Sequence, residues 1–250
     1  MRLDQIQTGR QIRPRRVTLY GVHGIGKSTF GAMAENPIFI PTEDGLADID
    51  CAKFPVAQTY RDVMDAIGAL YTEEHEFRTV VVDSVDWLER LIWAEVCVKK
   101  GVKSIEDIGY AKGYVFALTQ WREVLSGLDA LLHERGMQVV LLAHAAIEKF
   151  SNPETESYDR FAPKLDKRAS SLVQEWCDEV LFANYKVYTK TSDEGFNKTR
   201  AQGVGSGERV IRTMELPAHV AKNRLNLPLE IPLDYREFAK YLPQASAVSV

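Results

Sequence analysis

The run Gly21-Val22-His23-Gly24-Ile25-Gly26-Lys27-Ser28 meets the pattern G-x-x-x-x-G-K-[ST] at every required position, with Thr29 directly behind it. The chemistry of such a run is phosphate binding. Its glycines let the backbone curl so that successive N–H groups point at phosphate oxygens, and a helix starting near Lys27 adds the positive end of its dipole. Lys27 then reaches the β and γ phosphates of a nucleotide, and the Ser28 hydroxyl coordinates magnesium. Farther along, Thr79-Val80-Val81-Val82-Asp83-Ser84 is an apolar run ending on an acid. An aspartate there positions the same magnesium ion; alone such a motif is weak, and the loop upstream favours this role over an aspartate that merely caps the next helix. Together these residues point to ATP or a close relative, bound with Mg2+ and hydrolysed.

Such side chains need strands and helices to hold them. Arg16 to Tyr20 is short, β-prone and followed at once by glycine, which predicts a strand leading into the loop. Ile38-Phe39-Ile40-Pro41 predicts a second buried strand, and Val63, Ile67 and Leu70 mark one face of a helix. The run 79–83 does not alternate, as expected of a parallel strand covered on both faces. Val85, Leu88, Ile92 and Val96 predict the helix after it; Val115, Leu118, Trp121, Leu125, Leu128 and Leu132 predict a longer one. Gln138 to His144 is the next buried strand. Residues 145–169 carry Pro153 and Pro163 without a sustained period and read as a long mobile loop. Segments 179–188 and 208–216 are strand-like and predict an antiparallel hairpin at the sheet edge. Gly203, Gly205 and Gly207 are read as its turn. Strands alternating with helices predict an α/β fold, a doubly wound and mostly parallel sheet with a C-terminal antiparallel hairpin.

The chain has 250 residues, of which 45% are hydrophobic, enough for one large α/β domain. We expect a basic segment at 1–15, one ATPase domain at 16–240 and a tail at 241–250. No run approaches the roughly 20 apolar residues of a membrane helix, and the N-terminus lacks the apolar stretch of a signal peptide, so a soluble, cytoplasmic protein is expected. Cys51, Cys97 and Cys177 lack paired spacing and read as ordinary small core residues. A net charge of −4 argues against a broad duplex-binding surface, so any nucleic-acid contact must be local. Arg2, Arg10, Arg13, Arg15 and Arg16 stand against Asp4 alone at the N-terminus, either as a solvated tail or as a phosphate-contacting arm.

The segment Phe39-Ile40-Pro41-Thr42-Glu43-Asp44-Gly45-Leu46 resembles the strand end of RecA-type recombinases, where an acid activates the attacking water. The resemblance implies that Glu43 is the general base. It also implies a polar sensor of the γ phosphate at the end of the strand 139–143, the place His144 occupies. The recombinases typically carry glutamine there, so the chain departs from their pattern, and His144 is either this sensor or a structural histidine closing the top of the sheet. Ala221-Lys222-Asn223-Arg224 is similar to the K-x-R element that RecA-like hexamers and filaments project into a neighbour's ATP site. That implies catalytic Lys222 and Arg224 acting in trans and a homo-oligomer, as hexamer, ring or filament; the bland alternative is a solvated basic turn before Pro228.

The combination resembles the short phage ATPases made of a RecA core alone, including the Sak-type single-strand annealing ATPases, over residues 15–240. This implies ATP-gated binding of single-stranded DNA in phage recombination or replication, in the host cytoplasm, with a phage single-strand binding protein as a candidate partner. Lys149, Phe150, Arg160, Lys164, Lys167 and Arg168 lie in the segment such a protein would use, and Lys112 in a second, locally basic one. Glu148, Glu154, Glu156, Asp159 and Asp166 balance the cations of 145–169, so charge alone does not mark a DNA site. Two rivals remain. An ATP-dependent switch would assemble replication partners without touching DNA, and a small-molecule kinase would need an arginine-bearing lid, for which 145–169 offers only Arg160 and Arg168.

Overall fold

Apolar runs that do not alternate can be covered on both faces, and here they become the strands of a central sheet. A computed structural model describes residues 2–6, 8–9, 12–193 and 199–243, and for 4, 188–193 and 199–206 it describes the backbone. The described strands are β1 (Arg16–Gly21), β2 (Pro37–Pro41), β3 (Ala52–Lys53), β4 (Thr79–Asp83), β5 (Gln138–Phe150), β6 (Tyr158–Pro163), β7 (Glu179–Asp193), β8 (Thr199–Arg212) and β9 (Glu230–Pro232). They form one sheet in the order β3-β2-β4-β5-β1-β7-β8-β9, with β6 paired to β5. Every pairing from β3 to β7 is parallel; β5–β6, β7–β8 and β8–β9 are antiparallel. The mostly parallel α/β architecture expected from the alternation of strands and helices is therefore present.

The register decides what meets at the top of the sheet. Gly21 pairs with His144, Asp83 with Leu142 and Pro41 with Asp83, so β1, β2 and β4 end level with one another beside His144 of β5, which runs on past them.

Helices α1 (Lys27–Ala32), α2 (Tyr60–Thr72), α3 (Val85–Lys100), α4 (Lys112–Glu134), α5 (Lys167–Trp176) and α6 (Tyr235–Ala239) cover the sheet. Successive strand residues serve opposite faces. Val80 and Val82 pack with Leu88, Ile92, Trp121, Leu128 and Val173 of α3, α4 and α5, while Val81 packs with Phe30 and Phe238 of α1 and α6. Each fully buried side chain of this size contributes roughly 1.5–3 kcal/mol relative to exposure. Local signals set the helix ends: Thr59 and Asp62 exchange side-chain and backbone bonds in a capping box before α2, and Gly101 closes α3 with φ 66°. No helix among the described residues is long and apolar enough to cross a membrane.

Three expectations are corrected. The segment 145–169 is not a long loop: β5 runs on to Phe150, β6 returns antiparallel with Ile147 opposite Phe161, and α5 begins at Lys167. The C-terminal hairpin is longer than expected, and Gly203, Gly205 and Gly207 lie within β8 rather than at its turn. Val115 is half exposed, whereas Trp121, Leu125, Leu128 and Leu132 are buried as expected and are joined on that face of α4 by Ala117, Val124 and Leu131. Of the cysteines, Cys177 is buried and bonded to the Thr18 hydroxyl, whereas Cys51 and Cys97 are only partly covered.

Candidate active site

β1 delivers Gly21 to the top of the sheet, and the chain curls through the loop before α1 starts at Lys27. Gly24 and Gly26 take φ of 70° and 110°, backbone that L side chains rarely adopt. A Cβ on Gly26 would also approach the Arg209 guanidinium to 2.9 Å, and one on Gly21 would run into the Ala183 carbonyl. Lys27 folds back into this curl, donating to the carbonyls of Gly21 at 3.3 Å and Val22 at 3.1 Å. Burial lowers its pKa, opposed by the nearby carboxylates of Asp83, Asp86 and Glu43. An ammonium desolvated in this way gains from phosphate oxygens placed beside it.

The Ser28 hydroxyl donates to Asp83 Oδ2 at 2.6 Å. A hydroxyl and a carboxylate are hard oxygen ligands of the kind magnesium takes, and magnesium ordinarily shares its remaining sites with water and phosphate. Burial raises the Asp83 pKa, while the Ser28 bond, Lys27 and His144 pull it down and Glu43 pushes it up. A cation between Ser28 and Asp83 would reverse that penalty, so the donor set fits the ion. The turn behind Asp83 is rigid: Thr42 Oγ1 donates to the Ser84 carbonyl at 2.6 Å and accepts the Ser84 N–H at 2.9 Å.

Glu43 follows Thr42, at the end of β2, and its Oε1 lies 4.0 Å from His144 Nε2. The other side of His144 is fixed by Asp86, which accepts the backbone N–H at 3.0 Å and pairs with ring Nδ1 at 2.9 Å. His23, from the phosphate loop, stacks on His144 with ring centroids 4.0 Å apart. The pKa of His23 is lowered first by His144, then by burial and Lys27. One cavity of about 310 Å3 gathers Gly24, Gly26, Lys27, Ser28, Thr29, Glu43, Asp83 and His144. All were named from sequence. Asp86 and Arg209 were not: Asp86 is a carboxylate in the first turn of an apolar helix, a weak signal, and Arg209 donates to the Ile25 carbonyl at 3.2 Å from the far hairpin.

Other expected residues lie elsewhere. Lys222 and the half-exposed Arg224 are both bonded within their own subunit. Lys222 Nζ donates to the carbonyls of Gln174, Glu175 and Cys177 at 2.9, 3.1 and 2.7 Å, closing the end of α5. Arg224 donates to the buried Asp178 carboxylate at 3.1 Å, which also holds Arg13 and Arg16. Both sit where β1 and β7 begin, the end of the sheet away from the loop. Of the residues read as DNA contacts, Arg160 is answered by Glu148 at 2.8 Å and Glu215 at 3.4 Å, and its guanidinium lies 4.0 Å over the Phe150 ring. Lys149, Lys164, Lys167, Arg168 and Lys112 are exposed, and the Lys164 N–H is donated to the His144 carbonyl at 2.8 Å.

The sequence pattern of one protein family, described as AAA domain (AAA_24), matches residues 13–225. The chain is 24% identical over 242 residues to the SPbeta prophage-derived uncharacterized protein YorG of Bacillus subtilis (strain 168). That match takes in 92% of this chain and 62% of the relative, so the chain spans less than two thirds of the curated protein's length. Among solved structures it is similar to the RadB recombinase, with a TM-score of 0.44 and 15% identity over 80% of this chain and 81% of that one.

Proposed function

The chain belongs to the AAA domain family of P-loop ATPases, and from that premise and the site's geometry we propose that it binds Mg-ATP at Gly21–Thr29 and hydrolyses it. The observation that carries this reading is the single cavity in which the Ser28–Asp83 pair, Lys27, Glu43 and His144 converge.

In the proposed mechanism, Lys27 exchanges its bonds to the Gly21 and Val22 carbonyls for β- and γ-phosphate oxygens. Ser28 and Asp83 would hold magnesium, which would supply positive charge to offset that of the nucleotide's phosphates. Glu43 accepts a proton from water as the water oxygen attacks the γ-phosphorus. The bond to the β,γ-bridging oxygen breaks, and ADP leaves with its electron pair. His144, held by Asp86, stands beside Glu43 and orients the γ phosphate or the water.

The finer reading is a phage ATPase acting on single-stranded DNA in recombination or replication. The prophage origin in the relative's name supports the setting. The Lys164 N–H bond to His144 supports a route from the nucleotide to the exposed cations of Lys164, Lys167 and Arg168. A second reading, a partner-assembling switch without direct DNA contact, is favoured by the neutralisation of Arg160 by Glu148 and Glu215.

The test is steady-state ATP hydrolysis with magnesium, with and without single-stranded DNA. Turnover should vanish in Lys27→Ala and fall about 10²–10⁴-fold in Glu43→Gln with ATP still bound. Strong stimulation by DNA selects the first reading, and indifference selects the switch. Turnover that survives Lys27→Ala would refute both.

A further inference from the structure

A second cavity, larger than the first at about 540 Å3, lies at the other end of the sheet, where β1, β4 and β5 begin. Gln138, in its wall, precedes His144 by six positions along β5, a separation of about 20 Å at ordinary strand rise. This cleft is therefore no part of the ATP site.

Three arginines line it: Arg13 and Arg15 from the segment leading into β1, and Arg78 just ahead of β4. Arg13 shares its charge with Asp178 at 3.0 Å. Arg15 and Arg78 form no ion pair among the described residues, although Arg15 acts at longer range on buried Glu179, and Glu35 is the one carboxylate in the lining. Two donors are left over. Arg15 Nε and Gln138 Nε2 are shielded from solvent and have no hydrogen-bond partner. Gln138 is only 9% exposed, and its Oε1 accepts the Tyr235 hydroxyl at 3.1 Å, which turns the amide nitrogen the other way. A buried N–H left unpaired is costly, and the cost is removed when an acceptor reaches it. Pro14, Tyr235 and Ala239 add an apolar flank.

Unpaired guanidinium groups and an amide donor beside an apolar flank match a phosphate ester: the oxygens accept, and the organic part packs. The volume falls in the range of roughly 300–1,000 Å3 of small-molecule sites. We propose that this cleft is a second anion site, which holds a nucleotide-sized phosphate ester through Arg15, Arg78 and Gln138.

Two sources supply that chemistry, a free nucleotide or the 5′ end of a DNA strand, and calorimetry separates them. The full chain is first saturated at the phosphate loop with magnesium and a non-hydrolysable ATP analogue. It is then titrated with adenosine 5′-monophosphate and with a short single strand with or without a 5′ phosphate. A further saturable site is expected, weakened about tenfold or more by Arg78→Ala and by Gln138→Leu. Arg78 is exposed, so its variant keeps the test sound if Gln138→Leu fails to fold. Tighter binding of the monophosphate identifies a free nucleotide; a strand that binds only with its 5′ phosphate identifies a strand end. No binding by any probe, or binding indifferent to Arg78→Ala, overturns the proposal.

Discussion

Asp86 grips His144 twice, taking its backbone N–H at 3.0 Å and its ring Nδ1 at 2.9 Å, so that the opposite ring nitrogen faces Glu43. A carboxylate that fixes both the backbone and the ring leaves the imidazole one orientation and one tautomer. Asp86→Asn keeps the shape but can present its amide N–H to Nδ1, which favours the wrong tautomer. We expect kcat to fall about 10–100-fold with KM for ATP little changed. In a His144→Gln background the same substitution should cost almost nothing further, because its effect passes through the ring. Full additivity in that double-mutant cycle would remove Asp86 from the site.

Lys222 spends its three N–H donors on the carbonyls at the end of α5. A charge so engaged is an anchor. Lys222→Ala should lower stability by about 2 kcal/mol, seen as a thermal midpoint roughly 4–8 °C lower, with turnover per folded molecule preserved. A Lys222→Ala protein that instead lost turnover, and regained it on mixing with Glu43→Gln subunits, would mean that Lys222 leaves these carbonyls to complete a neighbour's site.

What could be read in the chain was local. The phosphate loop is contiguous, and the run of valines before Asp83 announces a buried strand by itself. Glu43 and His144 were singled out by the resemblance of their strand ends to those of RecA-type recombinases. What could not be read depends on register and distance: Asp86 and His144 are 58 positions apart and meet because β4 and β5 pair, and Arg209 is 184 positions from Ile25. The β5–β6 hairpin was hidden for another reason. Beyond His144 no apolar run continues; Glu148, Arg160 and Phe150 satisfy one another across the hairpin, a pattern that looks like a loop until the two strands are paired.

Arg209 donates to the Ile25 carbonyl, and a peptide unit is planar with its N–H opposite its C=O. Holding that oxygen outward aims the Gly26 N–H inward, toward the phosphate position. Arg209 is exposed, so its removal should leave stability nearly unchanged. Arg209→Ala should raise KM for ATP about three- to tenfold with kcat kept. An unchanged KM would show that the loop holds its shape without it.

Glu179 opens β7 with 0% exposure, and neither carboxylate oxygen has a hydrogen-bond partner. Burial pushes its pKa up from 4.5 to about 7, although Arg15 pulls the other way. The unfolded chain therefore gives up this proton near pH 4.5 while the folded chain keeps it until about 7. The group's contribution is fully present below pH 4.5 and is lost as the pH rises through that window, by roughly 3 kcal/mol at most. Glu89, raised in the same way to about 7, loses stability over the same interval. Urea midpoints measured across a pH series should fall between pH 4.5 and 7, and Glu179→Gln should halve that fall, leaving Glu89 to supply the rest. Above pH 7 the variant should be the more stable protein; curves that run parallel to the parent's throughout would mean that Glu179 is ionised and paired in the folded chain.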